Sequence, residues 1–368
     1  MKDGSRLLRV LLKVSEKAAN IARVCRQDKA LFALLVQEKS AAEKNPRFFQ
    51  DFKTLADVLI QETIRHDIGI EFPELSGAVK GEENNVFSNT LGETITVEVC
   101  SSQDETAALL KKVLGNDQLA AELLSQEVHR DISLTDVSVD SKNLPTDLEV
   151  QISDLGIWID PIDSTADYIH GGEVIDEKTG LHVSGLRCVT VLIGAYSQCS
   201  GLPIIGVVNQ PFYNHTDDKW KGICYWGFSN DDVSVCSIRQ NEEFIGNSEI
   251  VLISRFENPS IKSKLEEANF RTVDAAGAGY KIISVALGHA AAYVLSRGST
   301  YRWDVCGPHS ILKSQGGGIL DFKKYTNGED HINSIIKYSV IESEASNEGG
   351  LIAFGNFETL ENLKKALC

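Results

Sequence analysis

The sequence lacks the cysteine and histidine patterns of disulfide-rich and zinc-binding proteins. Its eight cysteines are scattered through 368 residues without a CxxC pair, and this density is too low for a disulfide scaffold. Its eight histidines are equally dispersed, with no HExxH motif, so a zinc site is not expected. These absences predict reduced thiols, as in the cytoplasm, and leave oxygen atoms as the ligands of any metal.

An excess of positive charge and a long uninterrupted apolar run are also absent. The 36 Lys and Arg residues stand against 52 Asp and Glu residues, for a net charge of −16, which argues against nucleic acid as a partner. The longest uncharged stretch, residues 188–216, contains Gly201 and Pro203 and predicts two strands and a turn, not a membrane span. Arg9 and Lys13 interrupt the N-terminal apolar residues, unlike a secretory signal. We expect a monomeric cytoplasmic protein with no membrane partner.

The hydrophobic pattern divides the chain into a helical first third, a strand-rich middle and an alternating last third. Apolar residues recur every three or four positions over residues 7–25, which predicts an amphipathic helix. Further helices are predicted over residues 52–65 and after Ser102, which begins a capping box with Glu105. From about Leu155, short β-branched runs predict a sheet, and strands then alternate with helices in the last third.

This order of elements predicts two lobes that meet near residue 240. An N-terminal α+β lobe, residues 1–240, contains most of the candidate metal ligands described below. A C-terminal α/β lobe, residues 241–368, is expected to complete the site.

The segment Trp158–Thr165, WIDPIDST, combines an apolar strand with two carboxylates. The strand is predicted to end at Asp160, and Pro161 is predicted to turn the chain before Asp163. Magnesium prefers oxygen ligands and takes only a few from the protein. Asp160 could therefore bridge two ions while Asp163 binds one.

The remaining residues of this segment could add a metal ligand and a phosphate site. The carbonyl of Ile162 lies between the two aspartates, and Ser164 and Thr165 could open a helix whose amides face an anion. A strand-terminating turn followed by a helix cap explains the same residues equally well when the segment is taken alone.

Other acidic residues are candidates that have ordinary alternative explanations. Glu82 and Glu83 are adjacent, with Lys80 as the nearby basic residue, and such like charges are costly unless a cation joins them. A solvated acidic loop is the alternative. Asp304 lies at a predicted helix start, where it could simply cap the helix, and Asp57 lies within a predicted helix.

Together these motifs resemble those of a known enzyme family. Asp57, GEE at 81–83, DPIDST at 160–165 and WD at 303–304 occur in the order found in the lithium-sensitive, magnesium-dependent phosphatase superfamily of inositol monophosphatase. Five further segments resemble the branch that acts on inositol polyphosphates, namely residues 14–27, 51–59, 206–212, 275–281 and 349–354. The resemblance extends from residue 7 to near the C-terminus.

The resemblance implies a layered αβαβα sandwich of the inositol monophosphatase and fructose-1,6-bisphosphatase type. It also implies two or three Mg²⁺ ions, inhibition by Li⁺, and removal of the 1-phosphate from inositol 1,4-bisphosphate and inositol 1,3,4-trisphosphate. By position, the first metal would be held by Glu82, Asp160 and the Ile162 carbonyl, and the second by Asp160, Asp163 and Asp304, with Glu83 in the outer shell.

The same resemblance assigns substrate roles, in which Asp163, Ser164 and Thr165 would contact the phosphate and Gly277, Ala278 and Lys281 would line the inositol side. As a hypothesis for the mechanism, Glu82 and Thr165 would activate the attacking water, with the Thr165 hydroxyl oriented by Asp57.

One departure from the family affects the expected substrate. Family members have a Ser-Glu-Lys element where this chain has Phe256-Glu257-Asn258, so a substrate-contacting serine and lysine are missing. A 3′(2′),5′-bisphosphate nucleotidase of the same superfamily therefore stays an alternative. A non-catalytic cation-binding regulatory protein is an alternative of a different class.

Overall fold

The computed structural model describes residues 1–27, 29–40, 51–238, 249–341, 343 and 345–368. Its helices are α1 (Asp3–Cys25), α2 (Lys29–Leu34), α3 (Leu55–Glu71), α4 (Gln103–Lys111), α5 (Gln118–His129), α6 (Thr165–His170), α7 (Pro259–Glu267), α8 (Ala278–Ala286), α9 (Arg302–Ser314), α10 (Phe322–Thr326), α11 (His331–Ser334) and α12 (Phe357–Leu367). Its strands are β1 (Val36–Glu38), β2 (Phe52–Thr54), β3 (Val79–Gly81), β4 (Val86–Ser88), β5 (Thr94–Thr96), β6 (Leu155–Asp163), β7 (Val174–Ile175), β8 (His182–Ser184), β9 (Thr190–Ser197), β10 (Pro203–Thr216), β11 (Lys219–Ser229), β12 (Ser234–Cys236), β13 (Ile250–Ile253), β14 (Arg271–Asp274), β15 (Ala292–Leu295), β16 (Gly318–Asp321) and β17 (Leu351–Phe354).

Two larger sheets alternate with three layers of helices. A six-stranded sheet has the order β12-β11-β10-β9-β6-β3, and a five-stranded sheet has the order β14-β13-β15-β17-β16. Helices α1 and α3 pack on the outer face of the first sheet, α8 and α9 lie between the sheets, and α7 and α12 cover the outer face of the second. Three apolar clusters follow these layers. The layers form the αβαβα sandwich that the resemblance implies.

Both sheets bring strand ends together at edges where loops can form a site. In the first sheet β3 runs parallel to β6, with Gly81 opposite Ile159, so Glu82 and Asp160 follow at the same edge. In the second sheet β13 runs parallel to both β14 and β15. Ligand sites of parallel sheets usually form at such carboxyl ends of the strands.

Glycines allow α9 to lie directly on the first sheet. Gly194, Gly206 and Gly227 are register partners on β9, β10 and β11. A Cβ atom at Gly194 or Gly206 would overlap the backbone of Gly307 in α9, and one at Gly227 would meet the Ile311 Cα at 2.7 Å. This close approach fixes the position of α9, whose first turn contains Asp304.

Element types agree with the sequence prediction more closely than element bounds do. The predicted helix over residues 52–65 is a short strand, β2, followed by α3. The helix after Ser102 is α4, and the Ser102 side chain accepts a hydrogen bond from the Glu105 amide at 3.3 Å. The predicted division near residue 240 lies outside the described residues. Among the described helices, none combines the length and the hydropathy that a bilayer crossing requires.

Candidate metal and phosphate site

A bulge in β6 turns Asp160 and Asp163 towards the same side of the sheet. Residues three apart on a regular strand point to opposite faces. Here Asp160 pairs with Leu192 of β9, whereas Asp163 pairs with Thr190, so one extra residue is inserted on β6. The prediction that the strand ends at Asp160 and that Pro161 turns the chain is therefore wrong, because β6 continues through Asp163.

Asp160, Asp163 and Asp304 form a carboxylate cluster whose ligand oxygens lie within 4.8 Å of one another. Burial raises the pKa of Asp160 well above its ordinary value, and the charges of Glu82, Asp163 and Asp304 raise it further. Burial and the same mutual repulsion also raise the pKa of Asp304. Three carboxylates at this separation, of which Asp160 and Asp163 are buried and Asp304 is partly exposed, cannot all be ionised at low cost without a cation.

Asp163 is held by the first turn of α8. Its carboxylate accepts hydrogen bonds from the amides of Ala278, at 3.2 Å, and Gly279, at 2.8 Å, and from the Thr190 hydroxyl at 3.2 Å. Burial raises the pKa of Asp163, while Lys281 and these amides oppose the shift. Gly277 has a φ of 70° and lies where a Cβ would meet the Cys188 carbonyl at 2.7 Å, which explains why glycine precedes this helix.

Lys39 joins Glu82 and Glu83, a contact that the sequence did not predict. Its Nζ lies 2.6 Å from a carboxylate oxygen of each residue, and the Lys39 side chain is 5% exposed. Burial alone would lower the pKa of Lys39, but Glu82 and Glu83 outweigh it and raise the pKa. The cation expected beside this acidic pair is thus supplied by the chain itself.

Gln61 of α3 fixes the backbone of Glu83, in the segment that follows β3. The Glu83 amide donates to Gln61 Oε1 at 2.8 Å, and Gln61 Nε2 donates to the Glu83 carbonyl. A Cβ at Gly81 would overlap the Gln61 side chain. The available sequence signal was a glutamine among the mostly apolar buried residues of α3, where Gln61 is fully buried.

Thr165, Asp57 and the Ile162 carbonyl lie close together. The Thr165 hydroxyl lies 3.3 Å from Asp57 Oδ1 and 3.1 Å from the Ile162 carbonyl oxygen. Thr54 holds the other oxygen of Asp57 through its amide at 2.7 Å and its hydroxyl at 2.6 Å. Burial raises the pKa of Asp57 to about 6, with Thr54 opposing the shift.

The predicted phosphate and inositol contacts lie around one cavity of about 690 Å³. Ser164 is in the left-handed region, with a φ of 71°, and its hydroxyl donates to Asp167 at 2.8 Å. Lys281 is 4% exposed and donates to the Ala275 carbonyl at 2.8 Å. Burial lowers the pKa of Lys281 to about 8. Glu82, Asp160, Ile162, Asp163, Ser164, Thr165, Gly277, Ala278, Lys281 and Asp304 all line the cavity, whereas Asp57 and Glu83 lie behind its wall.

The donor set fits a hard divalent cation. The cluster offers carboxylate oxygens, the ligand type that Mg²⁺ prefers, and it lies in the wall of a cavity that solvent can enter. Glu82 and the Ile162 carbonyl, which also line the cavity, extend the set. A bound cation would also relieve the repulsion that raises the pKa values of Asp160 and Asp304.

Comparison with known proteins adds evidence independent of this geometry. The sequence profile of the inositol monophosphatase family matches residues 78–353. The chain is 44% identical to inositol polyphosphate 1-phosphatase of Mus musculus, over 99% of this chain and 97% of that protein. It is 27% identical to 3′(2′),5′-bisphosphate nucleotidase 1 of Mus musculus, over 98% of this chain and 96% of that protein.

A solved structure of an inositol monophosphatase has a similar fold. The chain superposes on an inositol monophosphatase from Zymomonas mobilis with a TM-score of 0.51 at 14% identity, over 100% of this chain and 99% of that one. The family profile covers most of the chain, and the similarity to the mouse 1-phosphatase covers nearly all of it. The chain therefore belongs to the inositol monophosphatase family.

Proposed function

We propose that this chain is a Mg²⁺-dependent phosphatase that removes the 1-phosphate from inositol 1,4-bisphosphate and inositol 1,3,4-trisphosphate. The observation that carries the reaction type is the cluster of Asp160, Asp163 and Asp304 in the wall of the 690 Å³ cavity. The substrate follows from the 44% identity to a protein named inositol polyphosphate 1-phosphatase, compared with 27% to a bisphosphate nucleotidase.

Magnesium would be held by Asp160, Asp163 and Asp304, with Glu82 and the Ile162 carbonyl as further ligands and Glu83 in the outer shell. When bound, the metal would neutralise negative charge on the phosphoryl oxygens and on the oxygen of the leaving group, and it would lower the pKa of a bound water. We propose two or three ions, and inhibition by Li⁺, as in the family. Glu82, one of the proposed ligands, is paired with Lys39 at 2.6 Å. The number of ions bound therefore depends on whether Glu82 is available to a metal.

The side chains next to the cluster would orient and deprotonate the attacking water. Thr165 Oγ1, 3.3 Å from Asp57 Oδ1, would accept the water proton as its own hydrogen moves towards Asp57. Glu82 would accept a second hydrogen bond from the same water. The backbone around Ser164 and Thr165 would contact the phosphate, and Gly277, Ala278 and Lys281 would border the inositol ring.

The remaining proposals concern localisation, oligomeric state, partners and domain organisation. We propose a monomeric cytoplasmic enzyme with a small-molecule substrate and no nucleic acid or membrane partner, on the basis of the net charge of −16 and the dispersed cysteines. We also propose that residues 1–240 and 241–368 form two lobes that share the site.

A side-by-side phosphate-release assay tests the substrate. Inositol 1,4-bisphosphate and adenosine 3′,5′-bisphosphate are supplied at equal concentration with Mg²⁺, with and without Li⁺. We expect the inositol substrate to have the higher kcat/KM and Li⁺ to inhibit its turnover. A higher kcat/KM for the nucleotide would make the chain a nucleotidase, and no release from either substrate would support a non-catalytic role.

A further inference from the structure

The outer part of the cavity is formed by loops at the carboxyl ends of β13, β14 and β15. Ser254, Arg255 and Phe256 follow β13, residues 275–278 follow β14, whose last residue is Asp274, and residues 299–301 follow β15. These loops line the same cavity as the carboxylates of β6. Its volume, about 690 Å³, is within the range of roughly 300–1,000 Å³ that suits small-molecule ligands.

The loop after β13 is fixed at its far end, so that its first residues form the cavity wall. Glu257 is buried, and its carboxylate accepts hydrogen bonds from the amide of Ser296, at 3.0 Å, and from the Ser296 hydroxyl. Asn258 accepts a hydrogen bond from the Ser260 amide at 3.0 Å and caps α7. Asn258 is not among the residues that line the cavity, whereas Phe256 lines it and is 70% exposed.

The cationic groups of the cavity differ in their availability to a ligand. Lys39 is bound to Glu82 and Glu83, and Lys281 is bound to the Ala275 carbonyl over the ring of Tyr293. Arg255 is exposed, and it makes no hydrogen bond or ion pair with any residue that the structure describes. Its guanidinium can therefore bind an anion without first breaking an internal contact.

The charges that line the cavity favour an anion beside Arg255 and disfavour one beside the carboxylate cluster. Asp274 also lines the cavity, but Lys262 lies 3.9 Å from its carboxylate. Elsewhere in the wall of the cavity, Asp160, Asp163 and Asp304 repel any phosphate that lacks a cation beside it. An inositol bisphosphate places one phosphate at the reacting centre, so its second phosphate requires a separate positive group.

We propose that Arg255 binds the non-reacting phosphate of the inositol polyphosphate and so determines affinity for substrates with more than one phosphate. This proposal rests on the proposed function. Arginine suits the role because its planar guanidinium can donate two parallel hydrogen bonds to one phosphate.

The test compares Arg255→Gln and Arg255→Lys with the wild-type chain on inositol 1,4-bisphosphate. We expect Arg255→Gln to raise KM roughly tenfold, because a charge-assisted bond at an exposed site is lost, with kcat changed less than about twofold. Arg255→Lys should recover part of the affinity. We expect inorganic phosphate to bind at the reacting centre, so it should inhibit the wild type and both variants with the same Ki.

Arg130→Gln is the matched control, since Arg130 pairs with Glu127 on the surface and does not line the cavity. An unchanged KM in Arg255→Gln, or an equal rise in KM and in the Ki of phosphate, would overturn the assignment of Arg255. The proposed function fails separately, and takes this assignment with it, if the wild type releases no phosphate from inositol 1,4-bisphosphate with Mg²⁺.

Discussion

Asp160 is the residue on which the carboxylate cluster depends most, because it lies within reach of Glu82, Asp163 and Asp304. In Asp160→Asn the side chain keeps its shape and loses its charge. We expect kcat for inositol 1,4-bisphosphate to fall by roughly a hundredfold or more, as when a key electrostatic group is removed from an active site. Thermal unfolding in EDTA should show a variant at least as stable as the wild type, because repulsion is relieved.

The matched control is Asp147→Asn, which changes an exposed aspartate outside the cavity. Its turnover and melting temperature should equal those of the wild type. Near-normal turnover in Asp160→Asn would show that the cluster is not the reacting centre.

Lys39 is expected to stabilise the metal-free protein. Lys39→Met removes the charge that joins Glu82 and Glu83 and leaves a buried carboxylate, Glu83, and a partly exposed one, Glu82, unpaired. Breaking a buried pair in this way costs about 3 kcal/mol or more of unfolding free energy. The measurement is urea unfolding in EDTA, repeated with Mg²⁺, which should restore part of the loss.

Lys2→Met provides the comparison, since Lys2 pairs with Glu149 while both side chains are more than half exposed. Such a surface pair is worth about 0–1 kcal/mol. Equal stability of the Lys39 and Lys2 variants would rule out a stabilising role for the Lys39 contacts.

At the scale of single residues, the sequence predicted the candidate carboxylate ligands but not Lys39, the cationic side chain that pairs with Glu82 and Glu83. Asp160, Asp163 and Asp304 stand next to recognisable strand and helix boundaries, so local pattern marks them. Lys39 reaches Glu82 across 43 residues, and no local pattern encodes such a contact. The role of Gln61 depends equally on packing between α3 and the segment after β3.

At the scale of elements, the bulge in β6 and the glycines beneath α9 bring the ligands together. The bulge turns Asp160 and Asp163 to one side, and the close packing of α9 places Asp304 beside them. The WIDPIDST motif marked the segment that contains both aspartates but predicted a turn in place of the bulge, because an extra residue is defined only by the register of the partner strand β9.

Gly206→Ala tests the packing of α9. The added methyl group would overlap the Gly307 backbone, so we expect a loss of about 1–3 kcal/mol in stability, typical of overpacking. Displacement of α9 should also lower turnover, because Asp304 moves with it. Urea unfolding and phosphate release are the two measurements.

Gly77→Ala is the control, since a Cβ at Gly77 meets nothing within 4 Å. It should leave stability and turnover close to those of the wild type. If Gly206→Ala behaves in the same way, α9 is not held by these glycines.

At the scale of the whole molecule, the site depends on both sheets. The first sheet supplies Asp160 and Asp163, the helices between the sheets supply Asp304 and the amides that hold Asp163, and the second sheet supplies the loop with Arg255. The order of the motifs was sufficient to predict this layered fold through the family resemblance. Hydrophobic periodicity alone predicted the alternation of elements but not which layers face each other, since layer order is set by contacts distant in sequence.

The metal dependence of phosphate release from inositol 1,4-bisphosphate tests the central claim most directly. Buried carboxylates would repel the substrate phosphate when no cation is bound. We therefore predict that turnover disappears in excess EDTA and returns when Mg²⁺ is added beyond the chelator. Turnover that continues undiminished in EDTA would contradict a reaction centred on Asp160, Asp163 and Asp304.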